Sequence, residues 1–149
     1  MIYLLFDINY FVFYSDSSEE LVLVKNPPIT TKAIADHHTP VKSIPKKLAE
    51  IKSIKVSNKN PNRYVLGADS VISLNKELIN KPNSRKEAFT ILKKLNNSKH
   101  YLISSVCIAK NGAMVWNHTD SSELKMKNLN DNELSTYLNK IETKTLMAY

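Results

Sequence analysis

The sequence predicts an α/β fold with mixed α+β character, in which strands first alternate with helices and then close on an antiparallel hairpin. Three observations predict it. Apolar, β-branched runs such as VLGADSVI and YLISSVCIA alternate with stretches of helical period such as IPKKLAEIKSIKV and RKEAFTILKKL. The pair Asn111-Gly112 divides HYLISSVCIAKNGAMVWNHT at the strongest short hairpin signal available. The chain is 149 residues long and 42% hydrophobic, enough for one domain with its own core.

The elements follow in order. MIYLLFDINYFVFY is aromatic and β-branched, which predicts one or two strands, and SDSSEEL then forms a cap-like polar cluster. NPP at 26–28 is a loop. IPKKLAEIKSIKV predicts a helix with Ser43 as N-cap and Pro45 in its first turn, and with Leu48, Ile51 and Lys52 on one side. NKNPN at 58–62 ends it, and a strand over 64–74 follows. NKE at 75–77 is a turn into the apolar pair Leu78 and Ile79. Ser84 and Glu87 form an S-x-x-E capping box before a helix over 85–96, whose face is Ala88, Ile91, Leu92 and Leu95. After the hairpin, SSELKMK alternates like a third strand. Asn130 and Glu133 then cap a helix over 131–141, with Leu134, Leu138 and Ile141 inward.

Bulk properties exclude several classes. The net charge of +7 is almost all lysine, since Arg63 and Arg85 are the only arginines. Lysine is a point charge without the bidentate fork that reads bases, and basic and aromatic residues do not interleave, so a nucleic-acid-binding module is disfavoured. One cysteine, Cys107, rules out an internal disulfide framework and suits a reducing, cytoplasmic setting. Asp7 interrupts the apolar start and no basic segment precedes it, so neither a signal peptide nor a membrane span is expected.

Asp69 is the residue that asks for an explanation. It lies between Val65, Leu66, Val71 and Ile72 in a strand meant for the interior, where an uncompensated carboxylate costs several kcal/mol. Val65, Gly67, Asp69 and Val71 share one face of that strand. Gly67 is expected to leave open space beside the carboxylate, as glycines do where a ligand or another backbone approaches. Lys52 precedes the strand and Lys81, in NKP, precedes the Ser84-capped helix. Both are candidates to offset the charge, although period alone does not bring them together.

These motifs are in register with a known family. LAEIKS, then GADS, then NKP twelve residues after Asp69, then HTDSSELKMKNLNDNELSTYL, resembles the Maf family from about residue 44 to 149. Maf proteins are nucleoside triphosphate pyrophosphatases, also known as septum-formation inhibitor proteins. The resemblance implies a central twisted mixed sheet of the Maf-like, ITPase-like kind, flanked by helices. It also implies hydrolysis of a nucleoside triphosphate to the monophosphate and pyrophosphate. Asp69 would be the general base, Lys52 and Lys81 would bind the substrate phosphates, and a divalent metal, Mg²⁺ or Mn²⁺, would assist. A homodimer is the implied partner state.

The likeness divides the chain into a divergent N-terminal segment, 1–43, and a Maf-like domain, 44–149, expected to lack its closing C-terminal elements. The family's Ser-x-Ser-Pro-Arg-Arg phosphate turn has only SDSSEEL opposite it, with Ser15 and Ser17 for the serines and Glu19 and Glu20 where arginines would stand. Near the family's acidic motif stand Asp36, His37 and His38. An alternative therefore stays open: an inactive Maf-like remnant that at most binds nucleoside triphosphates.

Overall fold

The computed structural model describes residues 39–141 in full, and residues 10–15 and 18–25 by their backbone. Asp36, His37 and His38 fall outside the described residues, as do Ser17 and NPP at 26–28. The described residues contain six strands and three α-helices, the α/β class expected. They fall into two compact units. One holds the described residues up to 71 together with 103–121; the other holds 72–102 and 122–141.

In the first unit the strand order is β2-β1-β3-β5-β6. Here β1 is Tyr10–Ser15, β2 Ser18–Lys25, β3 Tyr64–Leu74, β5 Lys99–Lys110 and β6 Ala113–Lys125; of the last three, residues 64–71, 103–110 and 113–121 belong to this unit. The antiparallel β1–β2 pair runs from Tyr10↔Lys25 to Ser15↔Ser18, and β1 pairs antiparallel with β3 through Val12↔Leu66 and Tyr14↔Tyr64. Residues 18–21 of the cap-like cluster SDSSEEL thus lie in a strand, which runs on as SEELVLVK. Alternating Leu21, Val22, Leu23 and Val24 with β1 as a pairing partner satisfies strand propensity better than a helix would.

Helix α1, Ile44–Ser57, starts as expected with Pro45 in its first turn. Ser43 is its N-cap residue, but its hydroxyl donates to the Pro40 carbonyl (2.8 Å) and makes no cap bond. The buried side of α1 is Pro45, Leu48, Ala49, Lys52, Ser53 and Val56. Ile51, expected on that side, is 41% exposed. At 100° per residue it lies roughly 130° from the centre of the arc through Ala49, Lys52 and Val56, so it cannot share their contact. Where the arc comes closest to β3, at Gly67, it carries the small residues Ala49 and Ser53.

In β3 the face of Val65, Gly67 and Val71 is buried, and in β5 burial alternates so that Ile103, Ser105, Cys107 and Ala109 are covered. Ser70 and Ser104 hydroxyls meet at 2.8 Å, and Ser105 and Thr119 at 2.7 Å. The β5–β6 turn is Asn111-Gly112, with φ of 51° and 77°, the two positive values a type I′ hairpin needs. β6 continues unbroken to Lys125, so SSELK extends the second strand of the hairpin and is not a third strand.

In the second unit, β4 (Glu77–Ile79) pairs antiparallel with the end of β3 through a two-residue turn, Asn75-Lys76. Helix α2 is Arg85–Leu95. Ser84 Oγ accepts from the Glu87 N–H, but Glu87 Oε2 accepts from Asn83 N (2.8 Å), one residue before the expected box partner. Ala88, Leu92 and Leu95 are buried and Ile91 half-buried. Helix α3, Asp131–Asn139, has the complete box: Glu133 N donates to Asn130 Oδ1 (3.0 Å) and Asn130 N to Glu133 Oε2 (2.7 Å). Leu134 and Leu138 are buried, while Ile141 lies past the helix end. The Arg85 guanidinium donates to the carbonyls of Leu138 and Ile141, satisfying orphan acceptors at the end of α3. Asn96 clasps Leu129 in both directions, at 2.7 and 2.9 Å.

Candidate functional site

The site is built where α1 crosses β3. Period two puts Asp69 on the same face as Val65, Gly67 and Val71, and that face is covered by α1. Lys52 comes from the buried arc of α1. Its Nζ donates to Asp69 Oδ1 at 2.6 Å, with the lysine side chain 5% exposed and the carboxylate 12% exposed. The carboxylate in the apolar strand is therefore compensated by an ammonium group of nearly equal burial. Such a pair offsets much of the desolvation cost that either charge would carry alone.

Gly67 leaves no open space beside the carboxylate; of the two approaches expected there, a ligand or another backbone, the structure has the backbone. A Cβ built there would lie 2.5 Å from the Ala49 carbonyl oxygen and 2.9 Å from both Cβ and N of Ser53. The missing side chain makes room for the backbone of α1, not for a hollow beside Asp69. Glycine is used here because a helix presses on the strand.

Polar contacts hold the same helix along its length. Ser53, fully buried, donates to the Glu50 carbonyl at 2.9 Å and faces Cys107 Sγ at 3.3 Å. Burial pushes the Cys107 thiol above its ordinary range, which keeps it protonated and inert. Ser57 Oγ accepts from Gly112 N at 3.0 Å, and Asn111 Oδ1 accepts from Asn62 N at 2.6 Å, latching the end of α1 and its exit to the β5–β6 turn. Sequence reading missed these serines. The signal available was small hydroxyl residues recurring at four-residue spacing on the face opposite Lys55.

Lys81 lies in the segment between β4 and α2, in the second unit, and is exposed. Of the three predicted site residues, the first unit brings together Lys52 and Asp69. Ser15 ends β1 and Glu19 and Glu20 belong to β2, so these three residues of the stretch expected opposite the phosphate turn lie in paired strands. Among the described residues, no three His, Cys, Asp or Glu side chains are grouped to hold a metal ion. No helix of the described residues is long and apolar enough to cross a membrane.

The class these features define is an α/β layer protein with a buried lysine–carboxylate pair, among the described residues, where a helix crosses a strand. Its particular place is plain from comparison: the chain matches the Maf-like protein family over residues 18–148, and it belongs to that family. It is 54% identical over 106 residues to the nucleoside triphosphate pyrophosphatase of Pelagibacter ubique, a match covering 71% of this chain and 54% of that protein. It is 37% identical over 106 residues to the nucleoside triphosphate pyrophosphatase of Ruegeria pomeroyi, covering 71% and 53%. With the 7-methyl-GTP pyrophosphatase of Brucella abortus it shares 34% over 94 residues, covering 63% and 47%. The chain spans about half the length of the curated relatives it matches.

Proposed function

We propose that this chain carries the water-activating part of a nucleoside triphosphate pyrophosphatase. The observation that supports it best is the 2.6 Å contact of Lys52 with Asp69 in a buried layer, together with relatives named for this activity. In this reading Asp69 takes a proton from a water molecule, whose oxygen attacks the α-phosphorus of the triphosphate. The bond to the β-phosphate bridging oxygen breaks, and pyrophosphate leaves with the charge of that bond. Lys52 meets charge accumulating on the phosphates, and Lys81 serves the same end. A lysine already paired with a carboxylate exchanges one anion for another as substrate arrives, which limits the cost of bringing polyphosphate to a buried group.

The divalent ion implied by the family resemblance does not find a protein cage among the described residues. Mg²⁺ or Mn²⁺, where turnover requires it, would come coordinated largely by the substrate's own phosphates. A homodimer and a cytoplasmic setting complete the proposal, the latter from the single, inert thiol.

A second reading is favoured by the β1–β2 pairing: Ser15, Glu19 and Glu20, among the residues expected to stand for the phosphate turn, are strand residues. The chain would then bind triphosphate without turning it over. Pyrophosphate release from a panel of nucleoside triphosphates decides between them. Release by the wild type that falls at least 100-fold in Asp69→Asn supports catalysis, in the range expected for loss of a general base. Binding of a non-hydrolysable triphosphate without release supports the second reading, and neither binding nor release refutes both.

A further inference from the structure

The chain has two glycines, and both meet α1. Gly67 faces the backbone of Ala49 and Ser53 in the middle of the helix. Gly112 faces Asn58, the residue that closes it, and a side chain there would strike the Asn58 amide. The two contacts differ in kind. Gly112 needs its left-handed φ of 77° for the hairpin turn, whereas nothing about the turn chemistry or φ of Gly67 asks for glycine. At Gly67 the requirement is space alone.

That space lies beside the charged pair. Lys52 immediately precedes Ser53 and lies one turn beyond Ala49, the two residues whose atoms press on Gly67. Asp69 lies two residues beyond Gly67 on the same strand face, about 7 Å along. The approach of α1 to β3 at Gly67 and the reach of Lys52 to Asp69 are therefore one piece of geometry. With Lys52 5% exposed, its side chain has little freedom to take up a change in helix position by another route.

We propose that Gly67 is a positioning residue for the Lys52–Asp69 pair: its missing side chain lets α1 close on β3 far enough for the ammonium to meet the carboxylate. The inference rests on reading that pair as the phosphate- and water-handling groups, but its geometric part can be tested apart from turnover. An alanine at 67 would place a methyl group 2.5 Å from the Ala49 carbonyl. That oxygen belongs to the helix backbone and cannot rotate away, so α1 must withdraw by roughly 1 Å to restore ordinary contact. A misplacement of that size can cost about 100-fold in rate.

The test is a double-mutant cycle on folding, with Lys52→Met and Asp69→Asn made singly and together in the wild-type and in the Gly67→Ala backgrounds, each melted in urea. The expected result is a coupling factor between Lys52 and Asp69 in the folding constant that falls at least tenfold when Gly67 is replaced. Ser53→Thr, which adds a methyl group on the helix side of the contact, provides the same comparison should Gly67→Ala not fold. Val65→Ala is the control: it removes buried volume on the same strand face and should lower stability while leaving the coupling as it was. Coupling unchanged in both Gly67→Ala and Ser53→Thr overturns the proposal, as does an equal loss in Val65→Ala. If the wild type releases pyrophosphate, kcat in Gly67→Ala should fall about 100-fold, and Val65→Ala should keep it. If the wild type shows no release, the catalytic reading fails while the cycle still decides the role of Gly67.

Discussion

Replacing Lys52 by methionine isolates the energetics of the charged pair. The change keeps an unbranched side chain of similar length, so packing in the arc of Leu48, Ala49 and Val56 is largely preserved, and the ammonium is lost. What remains is a carboxylate 12% exposed with no ammonium at 2.6 Å. Removing one partner of a buried pair costs about 3–5 kcal/mol; the residual exposure of Asp69 places this case at the lower end, about 3 kcal/mol. Against a total stability of roughly 5–15 kcal/mol this is a large share. At roughly 2–4 °C per kcal/mol for a chain of this size, the melting temperature should fall by about 6–12 °C.

Replacing both partners, as Lys52→Met with Asp69→Leu, should recover most of the loss, because neither charge of the pair is then left in the apolar layer. Urea melts at neutral pH followed by far-ultraviolet circular dichroism measure both. The deficit of the single variant should shrink toward low pH, where a carboxylate that has lost the Lys52 ammonium can take up a proton. A single variant as stable as the wild type, or a double variant worse than the single, would refute the claim that the two charges are buried as a pair. Restored stability together with lost triphosphate binding would show that the pair is kept for its chemistry.

Two further outcomes follow from other parts of the fold. Cys107 is the only thiol, and burial raises its pKa above the ordinary value. A group whose folded pKa is raised contributes stability below its unfolded pKa and loses it as pH rises through the folded one. Urea midpoints should therefore decline above about pH 9, and the native thiol should resist an aromatic disulfide reagent at pH 8 until denaturant is added; rapid native labelling would contradict its burial. Lys76 has a φ of 69° in the Asn75-Lys76 turn, where a side chain is strained and a two-residue hairpin prefers glycine. Lys76→Gly should stabilise by about 0.5–1 kcal/mol, and a lowered melting temperature would mean that this turn is held by contacts of the lysine itself.

Legibility in the sequence followed how local each signal was. The strand over 64–74 and the hairpin at Asn111-Gly112 were readable to the residue, because alternation and a positive-φ pair act within a few positions. Capping boxes were readable in kind, but Glu87 bonds Asn83 and not the box partner, a choice set by the loop before the helix. The side of α1 that faces the sheet was misread at Ile51. Hydrophobicity ranks that residue above Ala49 and Ser53, yet at a close helix–strand contact small size matters more. Residues 18–21 were placed in a cap-like cluster because SDSSEEL is polar, while their strand state depends on β1 as a pairing partner.

By itself the sequence determined that this is an α/β chain of the Maf family, with a carboxylate at 69 in an apolar strand and two lysines available to answer it. Tertiary structure alone decided that Lys52 makes the 2.6 Å contact and that Gly67 makes room for α1 instead of leaving space for a ligand. The physical reason is distance along the chain. Lys52 and Asp69 are 17 residues apart on different elements, and no local period specifies how closely a helix settles on a strand or which of its faces it presents.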